Sequence, residues 1–297
     1  MKPPVYHRQR FLLLLLDAAG GSLGRMDLQK LVFLHGQEAK DPHYAFTPYH
    51  YGAYSFQCAD DLDLLSKRGW LTLDERDVSV LRPLPRQVTP SGAVVALKAW
   101  LSNHRERGDS LVRKTYLAHP FFAKHSKMKG RVLSATELAS VDQANRATTA
   151  APSLVRTIGY EGIAFETYLN RLIYSGTTAL CDVRNNPRSR KFGFSAESLG
   201  RILPKLGIDY HHLPELGITS SKRRKLETRE DYEELFTEYR ETLPEREAAL
   251  GQLCEIIGNN SGTALTCFEA DPAFCHRSSL SDWLASEKAF SVEHLQG

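Results

Sequence analysis

Ala264-Leu-Thr-Cys-Phe-Glu-Ala-Asp-Pro-Ala-Phe-Cys-His-Arg277 is the stretch that decides how the chain is read. Its small, apolar opening is that of a buried strand. Asp271-Pro272 then breaks the pattern, and from Ser278 the spacing of Leu280, Trp283 and Leu284 predicts an amphipathic helix. A strand that passes through a polar turn into a helix delivers its loop to the carboxyl end of a sheet, where open α/β sheets bind ligands. That loop holds Glu269, Asp271, Cys275, His276 and Arg277 within nine positions, a mixture that packing does not require. It is the candidate reaction centre.

Upstream the same rhythm repeats. Val155–Ile158, Ala179–Val183 and Ile208–Leu213 read as strands, with helical segments around 168–173, 199–206, 232–243 and from Pro244 onward. Strands separated by helices predict a mostly parallel sheet covered on both faces. In such a sheet the loops after the strands meet at one edge. Here they read Gly159-Tyr-Glu-Gly162, Asp182-Val-Arg-Asn-Asn-Pro-Arg-Ser189 with Lys191-Phe-Gly-Phe194, and His211-His-Leu-Pro-Glu-Leu-Gly217. Acid, base and guanidinium groups recur on all four.

These words resemble those of the family filed as domain of unknown function 488, over residues 154–290. The resemblance implies motif positions at Tyr160, Glu161, Asp182, Arg184, Pro187, Ser189, His212, Leu216, Gly217, Glu269, Cys275, His276 and Arg277, and it carries no settled reaction. The residue types supply the chemistry. Asp182 and Glu269 can orient water or stabilise an oxocarbenium-like sugar. Arg184 and Arg277 can hold phosphates bidentately, and His276 or His212 can protonate a leaving base. Tyr160, Glu161, Asn185 and Ser189 complete the expected substrate-binding set. Asp182 also has a structural reading, as a cap on its own turn paired with Arg184. Cys275 reads either as a thiolate beside Arg277 and a helix N-terminus or as a small residue locking the loop.

No GxGxxG or Walker loop follows a strand, so no nucleotide cofactor is expected. Cys267, Cys275, His276 and His212 could hold zinc, but their spacing fits no standard ligand pattern, and no metal is assigned. Lys222-Arg-Arg-Lys225 reads as a solvated charge run or a further phosphate contact.

The first 150 residues differ in charge and pattern. They hold 21 Lys/Arg against 14 Asp/Glu, a net +7, whereas residues 151–297 hold 17 against 21, a net −4. A first helix, a second over 26–39 with Ser22 as its N-cap, an aromatic loop over 46–54 and a third helix headed by Ser55 are expected. A hairpin over 70–81 and a helix from Thr89-Pro90 to Leu101 complete the order of a winged-helix-like domain. Leu28-Gln-Lys-Leu-Val-Phe-Leu34, Pro48-Tyr-His-Tyr-Gly-Ala-Tyr-Ser55 and Leu62–Trp70 resemble the winged-helix-like domains of phage-associated and Panacea-type antitoxin proteins. That resemblance implies an interaction or regulatory module with a protein partner.

The whole excess of positive charge sits in residues 98–131, at Lys98, Arg105, Arg107, Arg113, Lys114, Lys124, Lys127, Lys129 and Arg131. Tyr116, Phe121 and Phe122 lie among them. Such a stretch suits a phosphate backbone with unstacked bases; the alternative is a solvated connector whose aromatics dock on the core. Residues 144–153 read as the linker between a domain over 1–145 and one over 154–297. The apolar run Phe11–Leu16 is too short for an export signal or a membrane span, and five cysteines without a framework spacing suit reduced thiols. A cytoplasmic protein is expected.

The sequence reading is therefore a nucleic-acid-processing hydrolase, an N-glycosidase that excises a base, modified or not, from DNA, with a role in phage defence implied by the N-terminal resemblance. Its rivals are a Cys275-dependent or phosphoesterase-type enzyme and a non-enzymatic toxin–antitoxin protein.

Overall fold

The computed structural model describes residues 2–39, 42–145, 154–222 and 226–295. The chain divides into two compact units, Met1–Arg146 and Ala147–Gly297. Most of the expected linker and the centre of the 222–225 charge run lie outside the described residues.

The first unit is mainly helical. Its helix α1 (His7–Ala18) buries every residue of the apolar run from Phe11 to Leu16, which is why that run carries no polar face. Strand β1 (Ser22–Gly24) follows and leads into α2 (Arg25–Glu38). Ser22 therefore does not cap the helix. It starts a strand, and its hydroxyl meets the Ser79 hydroxyl at 2.8 Å across the sheet. The expected aromatic loop is a small hairpin, β2 (Thr47–Tyr49) and β3 (Gly52–Tyr54), with Gly52, just after the two turn residues, at a positive φ of 92° that glycine adopts freely. Ser55 caps α3 (Phe56–Lys67) by accepting from the Cys58 amide. Strands β4 (Leu71–Leu73) and β5 (Asp77–Val80) form the expected hairpin, and β1 joins it in the order β1-β5-β4. Helices α4 (Ala93–Ser102), α5 (Gly108–Ala118), α6 (Lys129–Val132) and α7 (Ala135–Ala144) complete the unit.

The Leu28–Leu34 word owes its polar letters to this packing. Gln29 exchanges two hydrogen bonds with the Ser55 backbone, at 2.9 and 3.1 Å. Lys30, 1% exposed, donates to the Ala53 carbonyl at 2.7 Å.

The second unit is an α/β layer structure. Its elements are β6 (Leu154–Gly159), α8 (Phe165–Tyr174), β7 (Ala179–Asp182), α9 (Ala196–Ile202) and β8 (Asp209–His212). After them come α10 (Arg229–Thr242), α11 (Glu247–Asn259), β9 (Thr263–Cys267), α12 (His276–Lys288) and β10 (Ser291–Leu295). The strands form one sheet in the order β10-β6-β9-β7-β8, parallel at every pairing. Alternation along the strands covers both faces. Val155, Cys181 and Leu265 pack with α11 and α12, whereas Thr266 on the other face accepts the Tyr168 hydroxyl of α8 at 2.8 Å.

Strand β10 was not foreseen. It lies at the edge, mostly exposed, and is held to β6 partly by polar side chains: Arg156 to Glu293 at 3.0 Å and Thr157 to His294 at 2.7 Å. Helix α12 begins at His276, two residues earlier than the apolar spacing suggested, so His276 occupies its first turn. No helix among the described residues is long and apolar enough to cross a membrane.

Burial of Lys30 sets up a stability measurement. Desolvation lowers its pKa to about 7, against the opposing charge of Asp27. In the pH range between that value and the ordinary lysine range the unfolded chain holds the extra proton, so folding becomes more favourable as pH rises. Thermal unfolding compared across pH 7–10 should show this upward slope in the wild type, and Lys30→Met should flatten it relative to the wild type.

Candidate functional site

Strand β7 ends in Asp182, which is fully buried. Its carboxylate accepts from the Arg184 side chain, with Nε at 2.7 Å and Nη2 on the second oxygen. It also accepts from the Tyr210 hydroxyl at 2.7 Å and the Arg184 amide at 3.2 Å. The guanidinium in turn donates through Nη1 to the Tyr160 hydroxyl at 2.7 Å and the Phe194 carbonyl at 2.9 Å. Burial by itself would lower the Arg184 pKa, but the hydrogen bonds and charge of Asp182 more than offset it and leave it raised. Arg184 is thus a permanent cation held in one plane. Tyr160 stacks on Phe194 with ring centroids 4.3 Å apart, so the same contacts fix an aromatic wall.

The loop after β9 is set from two sides. A Cβ on Gly159 would sit 1.9 Å from the Glu269 carbonyl oxygen, so only glycine lets β6 end this close to the loop. Arg277, 1% exposed, donates to the Glu269 carbonyl, to the Ala270 carbonyl at 2.9 Å and to Thr157 Oγ1 at 3.4 Å. Glu161 accepts the Ala270 amide at 3.1 Å. Arg277 and Glu161 therefore hold the loop's backbone.

What the loop presents is a compact group of side chains. Cys267, at the end of β9, donates to Glu269 Oε2 at 3.3 Å, and its sulfur lies 3.8 Å from His276 Nδ1. His276 Nε2 is 3.0 Å from the Val183 carbonyl. A carbonyl only accepts, so this contact assigns the hydrogen to Nε2 and leaves the Nδ1 lone pair facing the thiol. Cys275 is wholly buried. Burial, a hydrogen bond to Cys267 and the nearby carboxylate of Glu269 push its thiol well above the usual range. Its thiol lies buried beneath the loop.

Above this group opens a cavity of about 420 Å³. Of the residues expected from sequence, Tyr160, Arg184, Asn185, Ser189 and His276 line it. Arg188, Arg190, Lys191, Cys267 and Phe268 line it as well, and sequence reasoning assigned them no substrate role. The three cations were legible as a charge cluster around the quoted Arg-Ser189, and Lys191 is fixed by donating to the Tyr160 carbonyl at 2.6 Å. Cys267 was hidden inside the strand pattern. The buried Asp182, Cys275 and Arg277, the half-buried Glu269 and the exposed Glu161 are not among the lining residues. Neither is His212, its Nε2 2.9 Å from the Arg184 carbonyl. The expected pairing of Asp182 with Glu269 as two working carboxylates is thus corrected. Strands β7 and β9 are neighbours, but the Asp182 oxygens are consumed by Arg184 and Tyr210.

In the first unit four of the nine basic residues of 98–131 pair with acids. Lys114 pairs with Glu106 at 3.0 Å and Lys129 with Asp142 at 2.7 Å, and Arg113 and Arg131 pair with Glu137 and Asp109. Arg105 and Arg107 donate to backbone carbonyls of their own turn. Desolvation lowers the Lys124 pKa, and Lys127 donates its amide to the His50 carbonyl at 2.9 Å. The interleaved aromatics do not offer a stacking surface. Tyr116 is fully buried, with its hydroxyl hydrogen-bonded to Ser126, and Phe122 packs edge-on against Phe33 at 4.5 Å. They dock on the core.

Residues 164–284 match the family model described as Domain of unknown function DUF488, the family that the C-terminal words resemble. No curated protein and no solved structure matches the chain.

The buried pair yields a direct test. Asp182→Asn leaves the Arg184 charge without its partner in a site only 6% exposed. Chemical denaturation should show a loss of about 3–5 kcal/mol, whereas Arg188→Ala, on the open side of the crevice, should fall within about 0.5 kcal/mol of wild type.

Proposed function

We propose that the second unit is a hydrolase of phosphate-bearing nucleic acid that breaks the bond between a base and its sugar in DNA. The observation that carries this reading is the crevice itself. Four cationic side chains, Arg184, Arg188, Arg190 and Lys191, line a cavity together with Cys267 and His276, and Glu269 accepts from the Cys267 thiol beside it at 3.3 Å. Arginines suit phosphate oxygens through paired donors. The exposed ring of Phe268, edge-on to Tyr160 at 5.3 Å, offers a face for a base taken out of its stack.

The roles follow from reach. The Glu269 carboxylate takes a proton from water, whose oxygen bonds to the sugar C1′ as the bond from C1′ to the base nitrogen breaks. The electron pair leaves with the base, which is protonated as it departs. Lys191, its pKa lowered by desolvation against the opposing charge of Glu161, is the proton donor on the crevice wall. Asp182 acts on the substrate only through Arg184. Reduced thiols at Cys267 and Cys275 suit a cytoplasmic setting.

One observation favours a second reading, thiol chemistry. It rests on Cys267 rather than Cys275, because the His276 Nδ1 lone pair faces the Cys267 sulfur. Rapid alkylation of Cys267 by iodoacetamide at neutral pH, with loss of activity in Cys267→Ser and retention in Glu269→Gln, would decide for it.

The glycosidase reading is tested by incubating the full chain with ordinary and base-modified DNA and cutting abasic sites with alkali. Strand breaks are expected on at least one substrate, reduced about 10²–10⁴-fold in Glu269→Gln. Arg188→Ala and Arg190→Ala should each weaken DNA binding and lower the salt slope by about one. Folded protein that produces no abasic site on any substrate overturns the reading.

A further inference from the structure

The floor of the crevice holds an unusual concentration of electron-pair donors. The ligand atoms of Cys267, Cys275 and His276 all lie within 4.8 Å of one another. For zinc in a tetrahedral site, sulfur–nitrogen and sulfur–sulfur edges are about 3.5–3.8 Å, given bond lengths near 2.3 Å to sulfur and 2.0 Å to nitrogen. The Cys267–His276 edge is already 3.8 Å. Drawing the three onto one ion requires shifts of about an ångström or less.

Three further features suit a metal. The imidazole is oriented by its other nitrogen, through the Nε2 contact to the Val183 carbonyl, which is how metal-binding histidines are commonly held. The Cys267 thiol is close to two acceptors, Glu269 Oε2 at 3.3 Å and His276 Nδ1 at 3.8 Å, and has a single hydrogen to give. The sulfur and the imidazole nitrogen thus already face one another. Finally, the loop that carries the donors is rigid: Asp271 caps the Ala273 amide at 2.9 Å, and Arg277 holds the Glu269 and Ala270 carbonyls.

We propose that Cys267, Cys275 and His276 bind a zinc ion at the base of the crevice. Two thiolates and a neutral imidazole balance the charge of Zn²⁺, and sulfur with imidazole is a donor set that zinc favours over magnesium or calcium. Cys275 is sealed in the interior while Cys267 and His276 line the cavity, so the fourth position opens toward the crevice. Three protein ligands and one open position are the pattern of a reactive site, in which bound water ionises near neutral pH. Glu269 stands beside that position, outside the ligand set, as the acceptor for the water's proton. The ligands are an adjacent pair and a residue eight positions earlier, joined only because a strand end and a helix start meet.

The metal deepens the hydrolase reading, but it can be measured without any substrate. Full-length protein, purified under reducing conditions and loaded with zinc sulfate, should carry a stoichiometric ion by elemental analysis after desalting. Cobalt loading should give thiolate-to-cobalt charge-transfer absorption. Cys267→Ser and Cys275→Ser should lose the ion and the absorption, while Glu269→Gln keeps both. Because a buried serine could unfold the loop, a second measurement uses the wild type. Zinc should slow iodoacetamide labelling of Cys267 at least about tenfold relative to chelator-treated protein. Folded wild-type protein that retains no zinc and is not protected from labelling overturns the site. A zinc-free protein that excises bases would overturn the site and leave the glycosidase reading standing. A zinc-bound protein inert on every DNA would support the site and sink that reading.

Discussion

A buried ion pair governs the rim of the crevice. Removing Asp182 and Arg184 from water costs several kcal/mol for each ion, and attraction within the pair does not reliably repay it. What makes the arrangement viable here is that the remaining hydrogen-bonding capacity is spent. Tyr210 and the Arg184 amide serve the carboxylate, while Tyr160 and the Phe194 carbonyl serve the guanidinium. Each partner belongs to a different segment of the unit. A single charged contact therefore fixes the relation between the ends of β6, β7 and β8 and the loop around Phe194. Replacing the pair with apolar side chains could preserve the packing but would leave none of these segments directed toward the crevice.

Backbone crowding supplies the second constraint. Where Gly159 meets the Glu269 carbonyl, a methyl group would overlap the chain at 1.9 Å, and where Gly217 meets Asn185 it would do so at 2.1 Å. In both places the loop after one strand rests directly on the loop after another, with no side chain between them. This closeness is what lets Cys267, Glu269 and His276 share hydrogen bonds while the arginines of the 184–190 segment stand over the same cavity. The first glycine of Gly159-Tyr-Glu-Gly162 is thus explained by contact between backbones, and its glutamate by an amide it holds.

How much of this was legible follows from which forces the sequence displays. Parallel strands buried on both faces advertise themselves as apolar runs, so the sheet and the meeting of its loops could be read from 155–158, 179–183, 208–213 and 264–267. Strand β10 could not, because an exposed edge strand alternates charge with small apolar residues and resembles a tail. Motif membership marked the rim but could not rank its members. Asp182, Arg277 and Glu161 carry the charges expected of working groups, yet their partners are on the protein itself. Cys267 looked like one more small residue in a buried strand, and only the fold brings it against His276. The aromatics of 116–122 show the same ambiguity in the first unit: tyrosine and phenylalanine among lysines suit a base or a core equally, and the core took them.

The charge balance of the two units does not describe their local potentials, for the same reason. Residues 1–150 carry a net +7 and residues 151–297 a net −4, which on composition alone sends a polyanion to the first. But in the first unit Arg113, Lys114, Lys129 and Arg131 face acids a few ångströms off, and such pairs cancel at any distance beyond a Debye length. In the second, six acids lie on α10, while Arg184, Arg188, Arg190 and Lys191 share one concave rim. Field lines focus in such a cleft. An anion responds to that local potential, not to the sum over the domain.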